Sequence, residues 1–276
     1  MHELSLGRSS AKRRSVGAPW ILWVALAVAL SPALTELIRH WVREPWARES
    51  AVFVPLAIAS AVADPSWSRP HGAGWLLVAA GIALALFGSA GGLAAIGRLA
   101  IPLAVIGMAL ATGHPAARIA LIALFVVPVP FSIVSVISLA GERVVVQLAV
   151  QAARLLGADW VAGGGTIGTA AGELRLRAPD LGLPLAHLLA GMGYCTGIAS
   201  GASALRSGSR GLLWAAWALP AQVLALVVSS GMLAVAGANA ARAFLDVAPA
   251  CAVTMIAIAR LERVAHASRV DWAAGP

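Results

Sequence analysis

Charge is what this chain has least of: Asp, Glu, Lys and Arg make up 12% of 276 residues, against about 25% in an ordinary soluble domain. Long stretches carry none at all, which excludes a water-soluble globule. Cysteine is nearly absent. The two present, Cys195 and Cys251, sit in apolar runs, which excludes a disulfide framework and a Cys-rich zinc site. There is one lysine, Lys12, so the formal net charge of +8 is carried by arginines scattered over loops and helix ends. That distribution orients a protein in a membrane rather than gripping nucleic acid. No Walker-type loop, His-x-x-x-His or other metal-ligand spacing occurs, and no solenoid or inverted repeat is visible.

What is there is apolar: 60% of residues, with a mean hydropathy of +0.85. In this class length bounds the number of spans rather than the number of cores. The pattern predicts an all-α polytopic membrane protein of about eight transmembrane helices, at residues 20–38, 51–63, 73–90, 98–112, 117–140, 185–205, 211–236 and 243–260. Several are short; a 13-residue run such as Ala51 to Ala63 falls below a ~30 Å hydrocarbon layer at about 1.5 Å per residue.

The expected organisation is a cytoplasmic basic tail at 1–19, a transmembrane bundle at 20–263 with an extracytoplasmic insert at 141–184, and a cytoplasmic tail at 264–276. Lys12, Arg13 and Arg14 hold the amino end inside. Eight spans put both termini in the cytoplasm, with 11 Lys and Arg inside against 9 outside. Trp20, Trp41, Trp46, Trp67, Trp75 and Trp160 fall at or near span ends, where aromatic belts lie.

Within the insert, Val144, Val145, Leu148, Ala149, Ala152, Leu155 and Leu156 recur at helical period, interleaved with Arg143, Gln147, Gln151 and Arg154. This is an amphipathic helix, on the bilayer or capping the bundle. The segments Gly163-Gly-Gly-Thr-Ile-Gly and Gly172-Glu-Leu-Arg-Leu-Arg alternate after glycine turns and predict a small β-hairpin.

One stretch has chemical potential: Gly191-Met-Gly-Tyr-Cys-Thr-Gly-Ile, followed by further small residues. Small residues let helices approach, so this can be a tight seam around an inert thiol. It can also carry a nucleophile, Cys195, which then needs a wet cleft and a cation to hold the thiolate. Arg242 is the candidate cation. It lies 47 residues after Cys195, at the outer end of the seventh expected span, and a tight Arg206–Arg210 turn returns it to the Cys195 side. The alternative is an arginine that merely reaches the interface. Cys195 lies ten residues into its expected span, about 15 Å below the boundary.

His187 can line the mouth of such a cleft or sit at the interface. Cys251 reads as packing. Asp246 and Glu36 are acids near span ends, available to Arg242 or Arg39 as structural ion pairs.

Together these regions resemble the exosortase/archaeosortase family of integral-membrane cysteine transpeptidases. Glu49-Ser-Ala-Val-Phe-Val-Pro-Leu is similar to that family's Ser-His-Gly-Phe-Leu-Val-Pro-Leu, without the histidine. Phe125-Val-Val-Pro-Val-Pro resembles its Pro-x-Pro. Tyr194-Cys-Thr-Gly-Ile, after the insert, resembles Ala-Cys-Ser-Gly-Leu, and Asn239-Ala-Ala-Arg242 its Asn-x-x-Arg.

The resemblance runs from about Trp41 to Arg242, in order. It implies Cys195 as nucleophile and Arg242 as the activating or oxyanion-stabilising arginine, with no metal or organic cofactor. The family's third polar residue has no counterpart here, because Arg260, Arg263 and His266 fall on the expected cytoplasmic side.

The implied substrate is a secreted protein with a C-terminal sorting signal of motif, membrane helix and basic tail, presented from the membrane lipid; nucleic acid is not a partner. The implied enzyme is a multi-pass protein of the cell membrane, with the insert as a substrate-facing lid. Two rivals use the same composition. A small-solute transporter would mark its path with intramembrane charge, and mid-span charge is nearly missing. A catalytically inactive, divergent scaffold would fit the missing third residue.

Overall fold

Proline and glycine cut the apolar sequence into helices of unequal length. The computed structural model describes the backbone of residues 19–63 and 69–273 and side chains within 20–62 and 69–247. Helix α1 (Pro19–Ala29) and helix α2 (Ser31–Arg43) meet at a bend of 69°. Pro32 stands in the first turn of α2, where its missing N–H costs nothing but where it cannot continue the ladder of the helix before it. A 3-10 turn over Pro45–Val52 leads into α3 (Phe53–Ala63).

Helices α4 (Ala73–Ala90) and α5 (Ala94–Thr112) form a hairpin closed at Gly91-Gly92. They touch backbone to backbone: a Cβ on Gly74, Gly81 or Gly88 would meet α5 atoms at 2.3, 2.7 and 2.5 Å. Small residues seven apart make that contact possible where apolar burial gives lipid-bathed helices no drive to associate.

Two short helices follow, α6 (Ala117–Ala120) and α7 (Ala123–Val126), before Pro128 and Pro130 break the run and α8 (Phe131–Leu155) begins. Then come β1 (Val161–Gly163), β2 (Thr166–Thr169) and β3 (Gly172–Arg175), an antiparallel sheet in the order β1-β2-β3. A 3-10 turn at Ala178–Leu181 precedes α9 (Leu183–Ala199) and α10 (Ala204–Ala215). The helical run α11 (Ala218–Ala273) is broken at Gly237, with φ 79° and ψ 173°.

Among the described residues four helical runs are long and apolar enough to cross a membrane: α4, α5, α8 and Ala204–Val247, with α1 and α2 a fifth if the bent pair is one span. That marks a membrane protein and corrects the expectation of eight spans. The 117–140 segment is divided by Pro128 and Pro130, and its second part fuses with the expected amphipathic helix into the 25 residues of α8. No loop separates the segments expected at 211–236 and 243–260; only the Gly237 break lies between them. At 17 residues α9 is short. The expected hairpin carries a third strand.

Much of the surface is apolar: Leu76 is 73% exposed, Leu212 74% and Val235 90%, a surface suited to hydrocarbon. Inside, one cluster gathers around α9, with Phe53, Ile119, Ile122, Leu188 and Met192. A second lies between α8, the sheet and α11, with Val145, Val146, Ile167, Leu174 and Leu226.

Candidate functional site

Helix α9 is the element on which the distant parts of the chain meet. Its glycines are contact points: a Cβ on Gly191 would meet the Phe53 ring at 2.3 Å, and one on Gly193 the Arg210 carbonyl at 2.8 Å. These absences of side chain admit an aromatic ring on one face and α10 on the other. Phe125 stacks near Phe53, His187 and Tyr194, with centroids 5.6, 5.5 and 5.8 Å apart. The Tyr194 hydroxyl donates to the Arg118 carbonyl at 2.7 Å. His187 is held by the Phe125 carbonyl, with Nε2 at 3.3 Å.

Cys195 sits within this packing, 3% exposed and free of any disulfide. Met192 and Ile198 are buried in the same cluster. A thiol buried this deeply is shut off from bulk water and acts as a small packing group.

Arg242 is engaged elsewhere. Its Nη1 and Nη2 bind Asp180 Oδ2 and Oδ1 at 2.6 and 2.8 Å. Nη2 also lies 3.0 Å from Asp246, and Nη1 donates to the Arg175 carbonyl at 3.2 Å. Arg177 joins by its N–H to Asp180 at 2.6 Å and by its guanidinium to Asp246. Gln222 donates to the Asp180 carbonyl at 2.6 Å. The result is a network of two arginines and two aspartates that ties α11 to the turn before α9. Burial pushes the Asp180 carboxyl up to about 6, opposed by the Arg177 N–H and guanidinium, while Asp246 adds to the push. The fork-to-fork contact with Arg242 favours the ionised form, so Asp180 is charged at neutral pH.

The network and the thiol are not brought together. Asp180 precedes α9, whereas Cys195 is twelve residues beyond Leu183, about 18 Å along the axis. The expected pairing of Asp246 with Arg242 is present, as is that of Glu36 with Arg39 at 2.6 Å. The side chains of Cys251, Arg260, Arg263 and His266 lie outside the described residues.

Beside the network is a cavity of about 50 Å³, lined by Trp46, Glu49, Arg177, Asp180, Gln222 and Asp246 among others. A smaller recess adjoins it, sharing Trp46, Glu49 and Pro184 and bounded by His187. Burial pushes the Glu49 carboxyl up to about 7. Asp180, Arg177 and Gln222 were not singled out by sequence reasoning, and Glu49 entered it only as the first residue of a family-like stretch. The available signal was the density of charge in Arg175-Leu-Arg177-Ala-Pro-Asp180, directly before an apolar helix. Among the described residues no three His, Cys, Asp or Glu side chains converge as a metal site requires.

No family model matches the chain, and neither curated proteins nor solved structures give a match.

Proposed function

We propose that the chain is a multi-pass cell-membrane cysteine peptidase or transpeptidase of exosortase type, acting on the C-terminal sorting signals of secreted proteins, with both its termini in the cytoplasm. One observation supports the reading above others: two of the stretches that carry the resemblance, far apart in sequence, pack on the α9 stretch that holds Tyr194 and Cys195, and the fourth reaches the turn before that helix. Phe53, Phe125 and Tyr194 share one packed cluster on it, and Arg242 binds Asp180 at its entrance.

In the proposed reaction the Cys195 sulfur bonds to the scissile carbonyl carbon and the C–N bond breaks. The released tail leaves as an amine carrying the thiol proton. An acceptor hydroxyl, amine or water then adds to the thioester carbon, the C–S bond breaks, and the acceptor's proton goes to the departing sulfur. Arg242 would stabilise the thiolate or the oxyanion. The reaction makes a conformational demand: Cys195 has to reach water, and Arg242 has to exchange Asp180 for the reacting group.

The test uses cells that co-produce the chain with a secreted protein encoded beside it that carries a C-terminal membrane tail. The wild type shortens that protein, and Cys195→Ala does not. Processing that persists in both Cys195→Ala and Arg242→Ala overturns the assignment.

The sealed thiol and the Arg242–Asp180 pair favour a second reading, a divergent scaffold of the same fold that does no chemistry. Deleting the chain would then change the fate of the tailed protein, while Cys195→Ala would leave it as in the wild type.

A further inference from the structure

The small sheet leaves one edge open, and the register shows which groups it offers. Strands β1 and β2 pair Gly163 with Thr166, Ala162 with Ile167 and Val161 with Gly168, across a two-residue turn. The pair flanking a two-residue turn exchanges both hydrogen bonds, and the next pair exchanges none. Ala162 therefore turns its N–H and C=O away from β2. The other hairpin agrees: the Leu176 N–H donates to the Gly165 carbonyl at 2.8 Å, so Gly165 faces β3 while Thr166 faces β1. Among the described residues nothing accepts from or donates to the Ala162 backbone.

In front of that edge runs a groove of about 530 Å³ between β1 and α8, lined by Leu139, Glu142, Arg143, Val146, Gln147 and residues 162–164. Its volume falls in the range of ligand sites. Ala162 pairs with Ile167, whose side chain is fully buried against α8, so the Ala162 face of the sheet is the one turned toward α8. Leu139, 71% exposed, is an apolar floor beside it. Gly163 and Gly164 put no side chain in the way of an approaching backbone. An unpaired strand edge is compatible with water and not with hydrocarbon, so β1 and its open edge lie outside the hydrocarbon layer.

We propose that this groove binds an extended polypeptide segment as a fourth strand beside β1. The bound segment accepts from the Ala162 N–H and donates to the Ala162 C=O, turns one apolar side chain onto Leu139 and Val146, and sets its flanking polar groups against Glu142, Arg143 and Gln147. Occupancy by peptide rather than by a small molecule follows from the chemistry of the edge. An outward N–H and C=O on one residue, with alternating floor and rim, complements another β-strand. The site stands whether or not Cys195 reacts.

The probe is a phage-displayed library of random octapeptides, selected on the purified full-length protein in detergent micelles. The expected result is enrichment of peptides with an apolar residue flanked by polar ones at strand spacing. The enriched peptides should slow hydrogen exchange at the Ala162 amide and bind about tenfold more weakly to Ala162→Pro, which lacks the donor. Leu139→Glu, on the exposed face of α8, should weaken them similarly without touching the sheet. Enrichment no greater than on empty micelles, undiminished binding to both variants, or bound peptide with unchanged exchange at Ala162 overturns the proposal.

Discussion

Arg242 grips Asp180 with both prongs, Nη1 on Oδ2 at 2.6 Å and Nη2 on Oδ1 at 2.8 Å, and so fastens α11 to the turn from which α9 starts. The Asp180 side chain is 5% exposed and that of Arg242 24%. Removing one partner strands the other in a poorly hydrated place, which costs far more than an exposed ion pair contributes. Arg242→Ala should lower unfolding stability in micelles by about 2–4 kcal/mol. Asp180→Asn with Arg242→Ala should cost less than the two single losses added, because the pair is coupled. Additive losses in thermal or denaturant unfolding would show that the contact holds nothing together.

Burial acts on Glu49 in the same region with a definite sign. Its folded-state value, about 7, lies above the model-peptide value of 4.5, so the folded protein binds this proton more tightly than the unfolded chain. The contribution is fully present below about pH 4.5 and is lost as pH rises through 7. Asp180, at about 6 against 3.8, titrates lower in the same direction. Glu49→Gln should therefore raise the melting temperature above pH 7, leave it little changed near pH 4.5, and flatten the slope between. A melting profile with the wild-type slope in Glu49→Gln would place the titration elsewhere.

How far the fold was legible depended on what ended each helix. The expected 73–90 span matches α4, because Gly72 and Gly91-Gly92 bracket an unbroken apolar run. The segment at 117–140 did not survive, because hydropathy is blind to what Pro128 and Pro130 do to a backbone. The candidate site was half legible. The tight turn expected at Arg206–Arg210 falls within α10, and the chain reverses at residues 200–203 instead; Arg242 still reaches the turn before α9. What spacing could not show is that Asp180 waits there with a carboxylate, a partner for a guanidinium that a neutral thiol cannot match.

The glycines of α9 supply a matched pair of substitutions. A Cβ on Gly191 would meet the Phe53 ring at 2.3 and 2.6 Å and Phe125 at 2.9 Å, whereas one on Gly208 in α10 meets nothing within 4 Å. Gly191→Ala gains helix propensity but forces two rings apart, and overpacking of this kind costs about 1–3 kcal/mol. Gly208→Ala gains the propensity alone, about 0.5–1 kcal/mol. The two should move the unfolding midpoint in opposite directions. Equal shifts would show that Phe53 does not sit against α9.

The thiol itself is open to direct measurement. Cys195 is 3% exposed and backed by Met192 and Ile198, and alkylation needs a thiolate in contact with reagent. In a Cys251→Ala background, so that a single sulfur reports, a maleimide should label the folded protein in micelles far more slowly than the unfolded chain. Arg242→Ala, acting at the other end of α9, should leave the folded-state rate unchanged apart from whatever follows from its lower stability. A fast native rate that falls specifically in Arg242→Ala would mean that guanidinium and thiol share water in the working protein. The arrangement in which Arg242 rests on Asp180 would then be one of two conformations.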